Sequence, residues 1–151
     1  VITQFLGHIV RGEPIKLVDG GWQKRAFTYV DDGIAALVKI IANKEGKASG
    51  QIYNVGNPDN NYSIRELATM MLELAAQYPE YQNNAAKVTL VETTSNAYYG
   101  GGYQDVQNRV PKITNTMQDL DWAPSVTMKD ALNSIFDFYR DHAASVRDLS
   151  A

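Results

Sequence analysis

Two groups of residues in this 151-residue sequence have types and spacing suited to chemistry on an anion. The first is the stretch Tyr98-Tyr-Gly-Gly-Gly-Tyr-Gln-Asp-Val-Gln-Asn-Arg109-Val-Pro-Lys112. Arg109 offers a planar fork for phosphate or carboxylate. Tyr98, Tyr99 and Tyr103 offer flat, half-polar surfaces. Gly100, Gly101 and Gly102 allow positive φ and a close backbone approach to a ligand. The stretch is too rich in glycine for a helix and too polar for a core, so it reads as a loop, and a plain surface loop would share its composition. The second group is Lys16, Lys24 and Arg25, which bracket Asp19-Gly20-Gly21. Ile15-Lys-Leu-Val18 alternates as a strand, and Gln23 to Val30 reads as extended. A strand, a Gly-Gly turn and a second extended segment predict that Lys16 and Arg25 lie near each other. Such a pair could clamp a diphosphate through charge-assisted hydrogen bonds; a solvated hairpin with surface charges fits the same residues.

Other chemistry is missing from the sequence. No segment matches a dinucleotide-binding Gly-x-Gly-x-x-Gly, a P-loop or a Gly-x-Ser-x-Gly elbow. The Gly100–Gly102 run follows a predicted strand, but no helical stripe comes after it. Two distant histidines and no cysteine argue against a catalytic metal and exclude disulfides. None of the nine tyrosines has a lysine four residues later, the spacing that sets a phenol and an ammonium on one helix face. A net charge of -3 provides no basic field for nucleic acid, so an anion site must be local. No apolar run approaches the length of a membrane helix and no signal peptide is visible. A cytoplasmic protein without membrane insertion is therefore expected. The chain starts at Val1 with residues that already read as helix, which suggests a fragment of a longer protein.

The supporting elements follow from periodicity. Ile2, Phe5, Leu6, Ile9 and Val10 form a helical stripe closed by Gly12, with His8 off the stripe and facing solvent or a partner. Asp31 or Asp32 is placed to cap a helix carrying Ile34, Leu37, Val38 and Ile41. Gln51 to Val55 reads as a strand. Ser63 and Glu66 have capping-box spacing before a helix with Ile64, Leu67, Met71, Leu74 and Tyr78, stopped by Pro79. Tyr81 to Ala86 reads as a polar loop and Lys87 to Glu92 as a strand. A short helix is expected over Thr114–Leu120. Thr127 and Asp130 open a final helix with Met128, Ala131, Leu132, Ile135, Phe136 and Tyr139 on one face, and His142 in its last turn. The pattern is that of a mixed α/β or α+β domain, read as a single unit over 1–151.

Several segments in order resemble the C-terminal part of extended short-chain dehydrogenase/reductases acting on nucleotide sugars. They are Arg25-Ala-Phe-Thr-Tyr-Val-Asp-Asp32, Gln51-Ile-Tyr-Asn-Val-Gly-Asn57, Ser63-Ile-Arg-Glu-Leu67, Arg109-Val-Pro-Lys112 and Leu120-Asp-Trp-Ala-Pro124. Ile15 to Thr28 and Ser95 to Arg109 are more specific. They resemble the UDP-glucuronate decarboxylase domain of the bifunctional polymyxin-resistance enzymes, which act toward aminoarabinose-modified lipid A. The resemblance covers nearly the whole chain but only the C-terminal portion of that domain. It implies an α/β fold, the C-terminal portion of an NAD(P)-binding Rossmann-type extended SDR. This portion would contribute a late strand of the parallel sheet, Ile52 to Val55, and the smaller substrate domain. NAD, the Gly motif and the Tyr/Lys pair would belong to an N-terminal half lying upstream of Val1. UDP-glucuronate would be the partner, with a homo-oligomer in the full-length protein and no nucleic acid.

By the same resemblance the UDP site is lined by Lys16, Leu17, Val18, Asp19, Gly20, Gly21, Trp22, Gln23, Lys24 and Arg25, and Tyr103 contacts substrate. Trp22 stands where the family carries a lysine. The arginine matching Arg109 is assigned as the general acid in a sequence of oxidation at C4, loss of CO₂ and protonation at C5. An arginine of ordinary pKa, about 12.5 to 13.8, is a poor acid at neutral pH. Arg109 is therefore read as an anion clamp that holds the carboxylate and then stabilises the enolate. Two other readings remain open: another nucleotide-sugar epimerase or dehydratase, and a catalytically silent sugar-nucleotide-binding or oligomerisation fragment.

Overall fold

The computed structural model describes residues 1–100 and 105–141. They fall into two compact units, one within Val1–Gln23, Ser63–Gln107 and Leu132–Ala151, the other formed by Lys24–Tyr62 and Asn108–Ala131. His142 and Tyr103 lie outside the described residues.

The first unit is built on the stripe of α1 (Ile2–Arg11), which buries Phe5, Leu6, Ile9 and Val10. Gly12 closes the helix at φ 68°, a left-handed cap. The strand β1 (Ile15–Val18) pairs in parallel with β4 (Leu90–Thr93), Lys16 opposite Val91. Ile15 and Leu17 are fully buried, and Lys16 between them is exposed. The capping box forms as expected: Ser63 Oγ accepts from Glu66 N–H at 3.1 Å, and Glu66 Oε2 accepts from Ser63 N–H at 2.7 Å. It opens α3 (Ile64–Ala75), which buries Leu67, Ala68, Met71 and Ala75.

The expected polar loop from Tyr81 instead contains a helical turn, α4 (Gln82–Ala85). Its anchor is Tyr81, whose ring meets Phe136 edge-on at 5.4 Å and Tyr78 at 5.9 Å. Burial pushes the Tyr81 phenol up to about 12. Phe136 lies on α7 (Met128–Arg140), whose buried face is Met128, Ala131, Leu132 and Phe136. After β4, Thr94 Oγ1 accepts from Ala97 N–H and caps α5 (Ser95–Tyr99). Tyr98 and Tyr99 are thus helical, not part of a loop, because the glycine run begins only after them.

The second unit holds a three-stranded sheet of order β3 (Asn61–Ser63), β2 (Lys24–Ala26), β5 (Asn108–Arg109). Helix α2 (Val30–Ala42) starts earlier than expected, after Tyr29. Neither Asp31 nor Asp32 caps it. Asp32 is buried, and its carboxylate accepts from Ser125 N–H, Ser125 Oγ–H and Val126 N–H at 3.0, 3.1 and 3.0 Å. The core is Ala36, Ile113, Leu120 and Trp122, packed by Ile40, Ala48, Tyr53 and Val55. Helix α6 (Thr114–Leu120) forms where expected, and Thr116 Oγ1 donates to Asn54 O at 2.7 Å.

Gln51 to Val55 makes no ladder with any described strand, and Ile52 is 93% exposed. The α2 stripe also faces outward: Ile34, Leu37, Val38 and Ile41 are exposed, Ile41 by 82%. The stripe is helical, as its period predicts, but only Ala36 and Asp32 are buried on that helix. No helix among the described residues is long and apolar enough to cross a membrane.

Candidate functional site

In the first unit the turn after β1 is shaped by three consecutive left-handed residues: Asp19 (φ 47°), Gly20 (φ 77°) and Gly21 (φ 73°). The Asp19 carboxylate accepts from Ser95 N–H at 2.9 Å, which ties the turn to the start of α5. A Cβ on Gly21 would meet Arg65 N at 3.2 Å and Leu17 Cδ2 at 3.3 Å. Arg65 crosses beneath the turn. Its Nε donates to Gly20 O at 2.8 Å, its guanidinium pairs with Glu92, and its Cζ lies 4.7 Å from the Trp22 ring centroid. Gln23 O accepts from Ile64 N–H at 3.2 Å, so the chain leaves the turn fixed to α3.

This geometry corrects the hairpin expectation. β1 pairs with β4, whereas β2 lies in the β3–β2–β5 sheet. Lys16 and Arg25 are therefore on different sheets and in different compact units. The left-handed turn, held by Asp19 and Gln23, does not fold β2 back onto β1.

Beside Lys16 lies a groove of about 640 Å³ lined by Gln4, Phe5, His8, Arg11, Glu13, Lys16 and Tyr98. Arg11 Nε donates to Glu13 Oε2 at 2.7 Å, and His8 Nδ1 lies 3.7 Å from the same carboxylate. His8 is half-buried and off the buried stripe, as expected. Burial, and then the Arg11 charge, hold its pKa below the ordinary 6.5. The fold thus resists protonating it. A lowered cationic pKa contributes stability that is present above about pH 6.5 and lost as the pH falls from there toward the lowered folded value. Thermal unfolding midpoints should fall between pH 7.5 and 5.5, and His8→Gln should reduce that slope while leaving the pH 7.5 value nearly unchanged.

In the second unit, β2 and β5 run parallel with Lys24 opposite Asn108 and Arg25 opposite Arg109. Neighbouring parallel strands lie about 4.8 Å apart and register partners share a face of the sheet. Two guanidinium-bearing side chains are thus set side by side, and Arg109 is exposed. Arg25 Nη1 donates to Lys24 O at 2.7 Å, and Asn61 Nδ2 donates to Asn108 Oδ1 at 3.3 Å. Like charges opposite each other are unfavourable unless an anion lies between them or solvent screens them. Such a pair suits a phosphate or carboxylate.

Of the expected site residues, Lys16 to Gln23 belong to the first unit, and Lys24, Arg25 and Arg109 to the second. The contributions of Arg65, Glu92 and Arg11 were not legible as site features. Arg65 lies inside a helix-opening segment, and its spacing to Gly20 and Trp22 carries no local signal. The dinucleotide test is negative among the described residues. The Gly-Gly turn after β1 leads into β2, not into a helix whose N-terminus could face a pyrophosphate. No group of three or more His, Asp or Glu able to hold a metal occurs among them either.

The parallel pairing, the mixed α/β elements and the left-handed turn correspond to a known class. Residues 1–56 match the model of the NAD dependent epimerase/dehydratase family. The fold over nearly the whole chain is that of Rossmann-type extended short-chain dehydrogenases. A particular similarity is to the PbgP3 protein from Burkholderia pseudomallei, at 61% identity and TM-score 0.88 over 99% of this chain and 41% of that one. A UDP-glucuronic acid 4-epimerase from Bacillus cereus, in complex with UDP-glucuronic acid and NAD, shares the fold at 18% identity and TM-score 0.73. That match covers 93% of this chain and 40% of the epimerase. A dTDP-glucose 4,6-dehydratase from Bacillus anthracis, in complex with NAD, does so at 16% identity and TM-score 0.69, over 98% of this chain and 41% of the dehydratase. The chain spans about two fifths of the length of these proteins.

Proposed function

We propose that this chain is the C-terminal, UDP-sugar-binding part of an NAD-dependent UDP-glucuronate oxidative decarboxylase that forms a UDP-4-keto-pentose for aminoarabinose modification of lipid A. The observation that carries this reading is the in-register pair of Arg25 and Arg109 on β2 and β5. Two cationic forks on one sheet face suit a doubly anionic ligand, and UDP-glucuronate carries both a diphosphate and a carboxylate. The high identity to PbgP3 adds weight to an extended short-chain dehydrogenase of this kind.

In this reading the cofactor and the oxidation at C4 belong to a part of the protein outside this chain. Here Arg109 would hold the substrate carboxylate. Once C4 is a ketone, the C5–carboxylate bond breaks, CO₂ leaves and its electron pair passes into an enolate. Arg109 would then stabilise the enolate oxygen, with a water or other donor supplying the proton to C5. Electrostatic stabilisation of this type is worth about 10²–10³ in rate per group.

In the full-length protein, Arg109→Met should lower CO₂ release from UDP-glucuronate by at least about a hundredfold. Unchanged release and product formation would exclude Arg109 from both roles. A product that keeps its carboxylate and is inverted at C4 would identify a 4-epimerase instead.

The outward stripe of α2 and the unpaired segment 51–55 fit the same reading. A relative of 61% identity contains far more chain than is present here. We assign this face to the remainder of the polypeptide, with 51–55 adding a strand to its sheet and α2 covering one side.

A further inference from the structure

Strand β5 is two residues long and meets β2 through the pairs Lys24–Asn108 and Arg25–Arg109. A ladder this short does not fix its own spacing. Segment 54–57 supplies what the ladder lacks, because it contacts the chain just beyond both strands. Asn54 Nδ2–H donates to Lys112 O at 3.1 Å, and Asn57 N–H donates to Thr28 Oγ1 at 3.2 Å. Gly56 is buried between these two ties. A Cβ on Gly56 would stand 2.5 Å from Pro111 Cγ, 3.3 Å from Pro111 Cβ and 3.6 Å from Thr28 Oγ1. The φ of Gly56 is not positive, so space and not backbone conformation calls for glycine here. All of these residues belong to the second unit.

We propose that Gly56 is a positioning residue: its lack of a side chain lets Pro111 close on the segment after β2, and that closure sets the spacing of Arg109 from Arg25. This inference rests on the proposed role of Arg109 and specifies what maintains it. Carbon atoms settle about 3.5–4.0 Å apart, so a methyl on Gly56 would drive Pro111 back by about 1 Å. The pyrrolidine ring is closed onto the backbone and fixes φ, so no change of rotamer absorbs the shift. The displacement passes into the chain two residues after Arg109. Misplacing a reacting or stabilising group by about 1 Å costs up to about a hundredfold in rate. Gly56 touches no substrate in this reading and acts through Arg109.

The test is a mutant cycle in the full-length protein, reading kcat/KM for CO₂ release from UDP-glucuronate at a temperature where every variant is folded. Gly56→Ala should lower kcat/KM about tenfold to a hundredfold. Adding Pro111→Ala removes the Cγ that the methyl meets, and should recover most of that loss. In an Arg109→Met background, Gly56→Ala should change the residual rate by less than about twofold, because its effect is already gone. A merely structural glycine would give the same fold-loss in both backgrounds. Asn54→Ala loosens the tie to Lys112 without adding bulk, and should show the same dependence on Arg109 with a smaller loss. Wild-type kcat/KM in both Gly56→Ala and Asn54→Ala, or equal losses with and without Arg109, would overturn the positioning role and leave the proposed function standing. Wild-type CO₂ release by Arg109→Met would overturn both.

Discussion

Replacing Asp32 by alanine should destabilise the protein by about 3 kcal/mol, a large share of the stability of a domain this size. The carboxylate is buried and accepts three hydrogen bonds, from Ser125 N–H, Ser125 Oγ–H and Val126 N–H. Hydrogen bonds to a charged acceptor contribute about 1.5–3 kcal/mol each. The sum is not expected in full, because Ser125 is exposed and water can satisfy part of what is lost. The same helix start also holds the core, since Trp122 Nε1–H donates to Asp32 O at 3.1 Å. Asp32→Asn retains one acceptor oxygen but turns an amide toward a backbone N–H, so its loss should fall between zero and that of alanine. Denaturant midpoints for the two variants should rank wild type, Asp32→Asn, Asp32→Ala. A loss below about 1 kcal/mol for alanine would mean that the segment 125–126 is held by something else.

Asp32 also shows what the sequence could and could not reveal. Its position before an apolar stripe signalled a helix start, and α2 starts two residues before it. Its partner is 93 residues further along, and no local spacing distinguishes an N-cap from a tertiary latch. Features whose partners lie within one turn were legible: the Ser63–Glu66 box, the Gly12 cap and the stripes of α1 and α7. Features that depend on distant pairing were not. Arg25 and Arg109 stood out as separate, ambiguous cations, and only the register of β2 against β5 brings them together. The hairpin expectation failed for the converse reason. A Gly-Gly turn between extended segments usually reverses the chain, but here Asp19 and Gln23 spend their hydrogen bonds on α5 and α3. Tyr81 was hidden in a polar run because one aromatic residue among amides carries no period, yet its buried ring anchors the turn that α4 completes.

The second large effect concerns the outward face of α2. Leu37→Glu with Ile41→Glu should leave the core of this chain intact and disable the full-length protein. Neither side chain contributes to the cluster of Ala36, Ile113, Leu120 and Trp122. Glutamate is a good helix former, so α2 itself should persist. The isolated chain should therefore keep its circular dichroism. It should also become less prone to self-association, because a contiguous exposed stripe of Val30, Ile34, Leu37, Val38 and Ile41 is the kind of patch that finds a partner. In the full-length protein the outcome should be the opposite. Burying Leu and Ile is worth about 1.5–3 kcal/mol each, and placing unpaired carboxylates in that seam adds a desolvation penalty. The combined loss exceeds what most domain interfaces can absorb, so the expected result is a lowered Tm and activity reduced at least about a hundredfold. A full-length variant as stable and active as wild type would show that α2 faces solvent there too, and the assignment of this face to the rest of the polypeptide would fall. The same pair of measurements separates a seam from a surface, because only a seam makes the isolated chain better behaved and the whole protein worse.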